Sequence, residues 1–160
     1  MKRIVNVADV VLQPWPAQFA PKGAAAERYQ ARTGQIAPLL GAKKLGYNLT
    51  AVPPGKRAFP FHNHHAVEEM FYVVEGAGEV RIGTERFPIR PGDVIACPPG
   101  GQDQAHQIVN TGKVELRYLA VSNKESVDVC EYPDTGKVAA LGESIRYIGY
   151  EKNQPGYWDE

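Results

Sequence analysis

The chain has 160 residues, enough for one domain with a substantial core, and its 18 basic side chains balance 18 acidic ones. A formal net charge of zero, with no apolar run near the ~20 residues that span a bilayer, gives no reason to expect a nucleic-acid or membrane partner. The opening MKRIVNVADVVLQPWP is basic but lacks the apolar core and small-residue cleavage site of a secretory signal, and Cys97 and Cys130 are too few for a disulfide scaffold, so a cytoplasmic protein with reduced thiols is expected.

Sixteen glycines and 13 prolines punctuate short apolar runs, a pattern that predicts an all-β domain with many turns. Residues 1–44 read as an N-terminal arm. Within it, 4–7 and 10–12 are candidate strands, and Pro14, Pro16 and Pro21 should prevent regular pairing beyond them. Residues 24–31 favour a turn or two of helix, stopped by Gly34 and Pro38. Trp15, Phe19, Ile36, Leu39 and Leu40 are apolar anchors that should lie on the domain or on a neighbouring subunit.

From Leu45 the pattern changes. Strands are predicted over 45–52, 69–74, 79–82, 85–90, 93–97, 105–109 and 114–122, separated by turn chemistry such as Pro53-Pro54-Gly55, Gly83-Thr84, Pro91-Gly92 and Asn110-Thr111-Gly112. Short, half-alternating strands with frequent turns point to a sandwich or barrel over 45–122. Residues 123–160 read as a C-terminal extension, with a turn at Pro133-Asp134-Thr135-Gly136 and an apolar stretch over 144–150.

Chemistry concentrates in Gly55–Gly76, GKRAFPFHNHHAVEEMFYVVEG. Three of the four histidines, His62, His64 and His65, lie here, followed by Glu68 and Glu69. On an extended strand residues i and i+2 share a face, so His62 and His64 can aim at one point while His65 points away. His106 follows some forty residues later, after a Pro-Gly turn, where a neighbouring strand can return it to the same place. Imidazole nitrogens with a carboxylate oxygen suit a divalent transition metal: zinc, iron, manganese or nickel, with copper also compatible.

These residues carry a resemblance to the cupins. The first cupin motif is matched by Gly55, His62-Asn63-His64, Glu69 and Gly76. The second is matched by Gly92, Pro98, Gly100, His106 and Asn110. Two spacings are longer than the family pattern, Gly55 to His62 by one residue and Gly100 to His106 by three, and both additions fall in turns ahead of the ligand strands. The resemblance implies a double-stranded β-helix, or jelly-roll, barrel with one divalent metal on His62, His64, Glu69 and His106. Glu68 competes for the carboxylate role, but the spacing to Gly76 favours Glu69 by resemblance.

Other residues have plainer readings. Asn110 reads as a turn former, Cys97 as a buried small side chain and Lys56-Arg57 as solvated charge. Phe59, Phe61, Phe71 and Tyr72 read as core and pocket wall, with Phe71 and Val73 on Glu69's face and Ile108 on His106's. The expected function is a metal-dependent enzyme acting on a small polar metabolite, with sugar or sugar-phosphate isomerisation ranked first. An iron dioxygenase or a decarboxylase on the same ligands is the alternative, and a non-catalytic binding barrel the third reading. No general base is identified, although Glu68, Glu79, Tyr118 and Arg117 are candidates for the pocket lining. A homodimer is expected, because arm and tail carry aromatics that one small barrel need not bury.

Overall fold

The computed structural model describes residues 2–150, 152 and 155–158. After a 3-10 turn at Val7–Asp9 come β1 (Gln13–Pro14), α1 (Ala24–Arg28), β2 (Arg32–Gln35) and α2 (Ala37–Leu40). The central strands are β3 (Leu45–Val52), β4 (Asn63–His64), β5 (Glu69–Glu75), β6 (Gly78–Ile82), β7 (Glu85–Ile89), β8 (Val94–Cys97), β9 (His106–Val109) and β10 (Leu116–Asn123). Three more follow: β11 (Val127–Tyr132), β12 (Lys137–Gly142) and β13 (Arg146–Tyr150).

All seven strands predicted between 45 and 122 are present, with ends shifted by no more than about two residues, the usual uncertainty of strand boundaries. The arm departs more. Neither 4–7 nor 10–12 pairs; Asn6 instead caps the 3-10 turn by accepting from Ala8 N at 2.9 Å. Pairing begins at Gln13, opposite Thr33, and includes Pro14, opposite Arg32. Proline is tolerated there because β1 is an edge strand whose missing N–H faces no partner. The predicted helix over 24–31 ends at Arg28, since Tyr29 turns extended and bridges to Arg57. Pro38 opens α2 instead of stopping a helix, as its fixed φ suits a first turn.

The strands form two facing antiparallel layers of a jelly roll. One layer runs β1-β2-β3-β10-β5-β8, so the arm extends the main sheet through β2 against β3. The other is made of β7-β6-β9 and β4-β11-β12-β13. These two pieces are joined by a single antiparallel bridge, His62 to His106. Between the layers, Val52, Phe71, Val73, Ile95, Leu116 and Tyr118 of the first pack on Val80, Ile89 and Ile108 of the second. Burial of this apolar surface is the main stabilising term. Along β5 the buried residues are Phe71 and Val73, while Tyr72 is exposed. Tyr72 is therefore not part of the pocket wall, because the strand's period of two turns it away.

Gly76 marks a tight point of the frame. Its φ of 78° is in the left-handed region, and a Cβ there would lie 2.4 Å from the Glu115 carbonyl oxygen. Only glycine meets both demands.

Among the described residues no helix is long and apolar enough to cross a membrane.

Candidate metal centre

The bridge that joins the two halves of the second layer also builds the site. His106 N donates to His62 O at 2.8 Å, and His62 N donates to His106 O at 3.2 Å. Backbone pairing thus sets the two imidazoles side by side, with centroids 4.8 Å apart. Two residues on, His64 shares the face, its ring 4.9 Å from that of His62. Glu69 comes from the opposite layer, at the first position of β5. Its Oε2 lies 3.0 Å from His106 Nε2 and 3.4 Å from His64 Nε2. Donor atoms of His62, Glu69 and His106 all fall within 4.8 Å of one another.

Each ring is held from behind. His62 Nδ1 lies 2.8 Å from Pro60 O, His64 Nδ1 2.5 Å from Asp128 Oδ2, and His106 Nδ1 3.4 Å from Gln104 O. Acceptors at Nδ1 hold a proton there and present Nε2 inward, the arrangement of metal-binding histidines. His64 Nε2 is buried and makes no hydrogen bond; its approach to Glu69 has ion-pair distance only. An orphaned imidazole nitrogen beside an ionised carboxylate and two further rings fits a divalent cation, and the donor set of nitrogen and oxygen suits a borderline transition metal.

The electrostatics agree with that role. Burial, then the neighbouring His106 and His64, push His62 down to about 4, so it is a neutral ligand at neutral pH. Burial opposes charge on Glu69, yet the neighbouring His106 and His64 imidazoles outweigh it and hold the carboxyl well below the usual range. On His64, burial is likewise overcome, by contact with the Cys130 thiol and by the carboxylates of Glu69 and Asp128, which raise it to about 11.

Glu68 is exposed, with its backbone N–H donating to Asn123 Oδ1, so it is Glu69 that faces the rings. His65 is also exposed and lies 3.6 Å from Glu131. Among the candidate lining groups, Glu79 pairs with Arg86, and Arg117 pairs with Glu115 and Glu75, so neither lines the interior. Tyr118 does: it is 1% exposed and stands edge-on to Phe71. Burial and the nearby charge of Glu69 raise its phenol, which stays neutral. Cys97 is pushed up to about 12, first by burial and then by Glu69, which removes it as a nucleophile. Lys56 is not free in solvent, since its Nζ donates to the Glu27 carbonyl. Asn110 is a turn former with three bonds, donating to Val52 O and Val114 O and accepting from Gly112 N.

Sequence reasoning missed the residues behind the rings. Asp128 accepts from His64, from Ala66 N at 2.9 Å and from Val67 N at 3.3 Å. Cys130 Sγ lies 3.3 Å from His64 Nδ1, and the Tyr132 ring stacks on His62 at 6.0 Å. All three belong to β11, which pairs with β4. The signal was present in the alternation of VDVCEY, which buries Asp128 and Cys130 and leaves Val127 and Val129 exposed.

Residues 48–122 match the family model described as a cupin domain. The chain is 37% identical over 71 residues to an uncharacterized protein of Methanocaldococcus jannaschii and 34% identical over 70 residues to the oxalate-binding protein of Thermotoga maritima. Each match covers 44% of this chain and 54% of the other, so the chain spans about half the length of these curated relatives. A cupin-superfamily sugar phosphate isomerase from Silicibacter pomeroyi superposes with a TM-score of 0.81 at 21% identity, over 98% of both chains. Motifs, fold and family model agree that residues 48–122 of this chain form a cupin domain.

Proposed function

We propose that this protein is a metal-dependent cupin enzyme that acts on a small polar metabolite, with aldose–ketose isomerisation of a sugar or sugar phosphate as the leading reaction. The observation that carries the reading is the convergence of His62, His64, Glu69 and His106, with every Nδ1 facing an acceptor outside the cluster. These four side chains would hold the cation, and Asp128 would keep His64 oriented. A divalent ion held there supplies Lewis acidity toward a carbonyl or hydroxyl oxygen. Glu69 lowers the charge of the assembly. Tyr118, neutral and close enough to Glu69 to feel its charge, keeps an O–H on the inner face. Phe71, packed 5.7 Å from His106, closes that side with apolar surface and limits water.

The name borne by the Silicibacter pomeroyi structure supports isomerisation over other cupin reactions, and the name of the Thermotoga maritima relative supports a second reading, a barrel that binds a small carboxylate. Mass spectrometry of the purified protein should find one divalent transition metal per chain, and the H62A/H106A double variant should lose it. NMR of hexose and pentose phosphates should then record interconversion that stops on chelation and returns with the metal. Metal content unchanged in the double variant overturns the centre. Oxygen uptake with iron, and no interconversion, selects a dioxygenase, and binding without turnover selects the carboxylate-binding barrel.

A further inference from the structure

Beside the imidazole cluster lies a cleft of about 650 Å³ that the reading above does not use. Most of its walls come from the arm and the last three strands, outside the residues 48–122 that match the family model, and Ala58, Phe59 and Pro60 complete them. Three cations line it: Arg28 at the end of α1, Lys137 at the start of β12 and Arg146 at the start of β13. No carboxylate lines it. None of the three cations is in an ion pair among the described residues, whereas Arg32, Arg81, Arg86 and Arg117 are each held by an acidic side chain.

Each cation instead rests over a ring: Arg28 over Tyr29 at 5.8 Å, Lys137 over Tyr132 at 5.4 Å and Arg146 over Phe19 at 5.1 Å. Cation–π contact holds the charges at the cleft without neutralising them. Three unopposed positive groups around a concave, partly apolar wall focus a positive potential into it. Guanidinium and ammonium donors favour carboxylate and phosphate oxygens. Trp15 stands edge-on to Phe59 at 5.6 Å, and both line the cleft, offering flat apolar surface to a ring. The wall also includes Pro60 and Tyr132, both of which contact His62.

We propose that this cleft binds a small organic anion, a phosphate or carboxylate carried on a sugar or aromatic ring, with Arg28, Lys137 and Arg146 holding the charge and Trp15, Phe59 and Tyr132 the ring. The site takes its anion whether or not the neighbouring histidines carry metal, so its test is separate from that of the metal centre. Through Pro60 and Tyr132, an occupant there touches the support of His62.

The chain's two tryptophans are Trp15 and Trp158, so a W158F variant leaves one reporter, inside the cleft. Its fluorescence is titrated with glucose 6-phosphate and phenyl phosphate, with glucuronate and phenylacetate, and with neutral glucose and benzyl alcohol. At least one anion should quench Trp15 saturably and bind about tenfold or more tighter than its neutral counterpart, with Kd rising as salt is added. The phosphate and carboxylate arms identify the charged group. A K137Q/R146Q variant in the W158F background, with an unchanged circular dichroism spectrum, should weaken that anion by about tenfold or more. If that variant fails to fold, the salt dependence and the neutral controls carry the test. Anions that bind no tighter than glucose and benzyl alcohol, anion affinity that ignores salt, or affinity that survives in the folded K137Q/R146Q variant overturn the proposal.

Discussion

His64 and Asp128 are sixty-four residues apart in the chain, yet His64 Nδ1 meets Asp128 Oδ2 at 2.5 Å. The contact exists because β11 pairs with β4, placing Cys130 opposite His64 in the ladder. Asp128 also accepts two backbone N–H groups from the turn after β4, so one carboxylate fixes both the ring and the loop leading to Glu69.

Replacing that carboxylate separates the two roles. D128N keeps an oxygen for the turn but removes the charge behind His64, and is expected to weaken metal affinity by about 10–100-fold with little change in melting temperature. D128A should add a loss of stability of about 1–3 kcal/mol, since two turn N–H groups lose their acceptor. Chelator competition and thermal melts check both.

Metal uptake should also release a proton. His64 is raised to about 11, so near neutrality its ring holds a proton at Nε2 that a cation must displace. Raising the pH removes that competitor, and apparent affinity is expected to climb about tenfold per pH unit between pH 6 and 8. Calorimetry in buffers of different ionisation enthalpy reads the released proton directly. A flat affinity across that range contradicts the assignment.

Asn110 is fully buried and makes three bonds that tie β9 to the end of β3 and to the turn before β10. N110A strands two carbonyls and one N–H, and is expected to cost about 2–4 kcal/mol, at the upper end for a buried polar loss. Denaturant unfolding measures it. The metal content of the folded variant should remain that of the parent, since Asn110 touches none of the four donors.

Glu115 joins the arm to the main sheet, accepting from Arg32 at 2.6 Å and from Arg117 at 2.9 Å. Burial works against its charge, but those two partners hold the carboxyl below the usual range. A depressed carboxylate stabilises the fold above its unfolded pKa, and the contribution fades as pH falls through the folded one. The pair is partly solvated, so E115Q should cost only a few tenths to about 1 kcal/mol at pH 7. Melting curves of parent and variant should begin to approach each other as pH falls below about 4, the unfolded carboxyl value, and meet only once pH has passed the lower folded value.

Both cysteines are buried, with thiols raised above their ordinary value, chiefly by burial. Neither should react with iodoacetamide in the native protein at pH 7.5, and both should react in denaturant. Intact-mass measurement counts the adducts.

The sequence alone determined the strands between 45 and 122, and its resemblance to the cupins named His62, His64, Glu69 and His106 as the donors. The strands rest on local rules: alternation sets which face a residue takes, and Gly and Pro set where strands stop. His62 and His64 share a face because they are two apart, and His65 leaves it because it is one further on. Only the tertiary structure decided what stands behind them. β12, with two alanines and a glycine, has little in its own preferences to mark it as a strand, while β13 carries Tyr147, Ile148 and Tyr150; both are placed by the open edge that β11 offers. Pairing across sixty residues is a property of the assembled layer, and no local pattern records that Asp128 will meet His64 or that Lys137 and Arg146 will face Trp15 across one cleft.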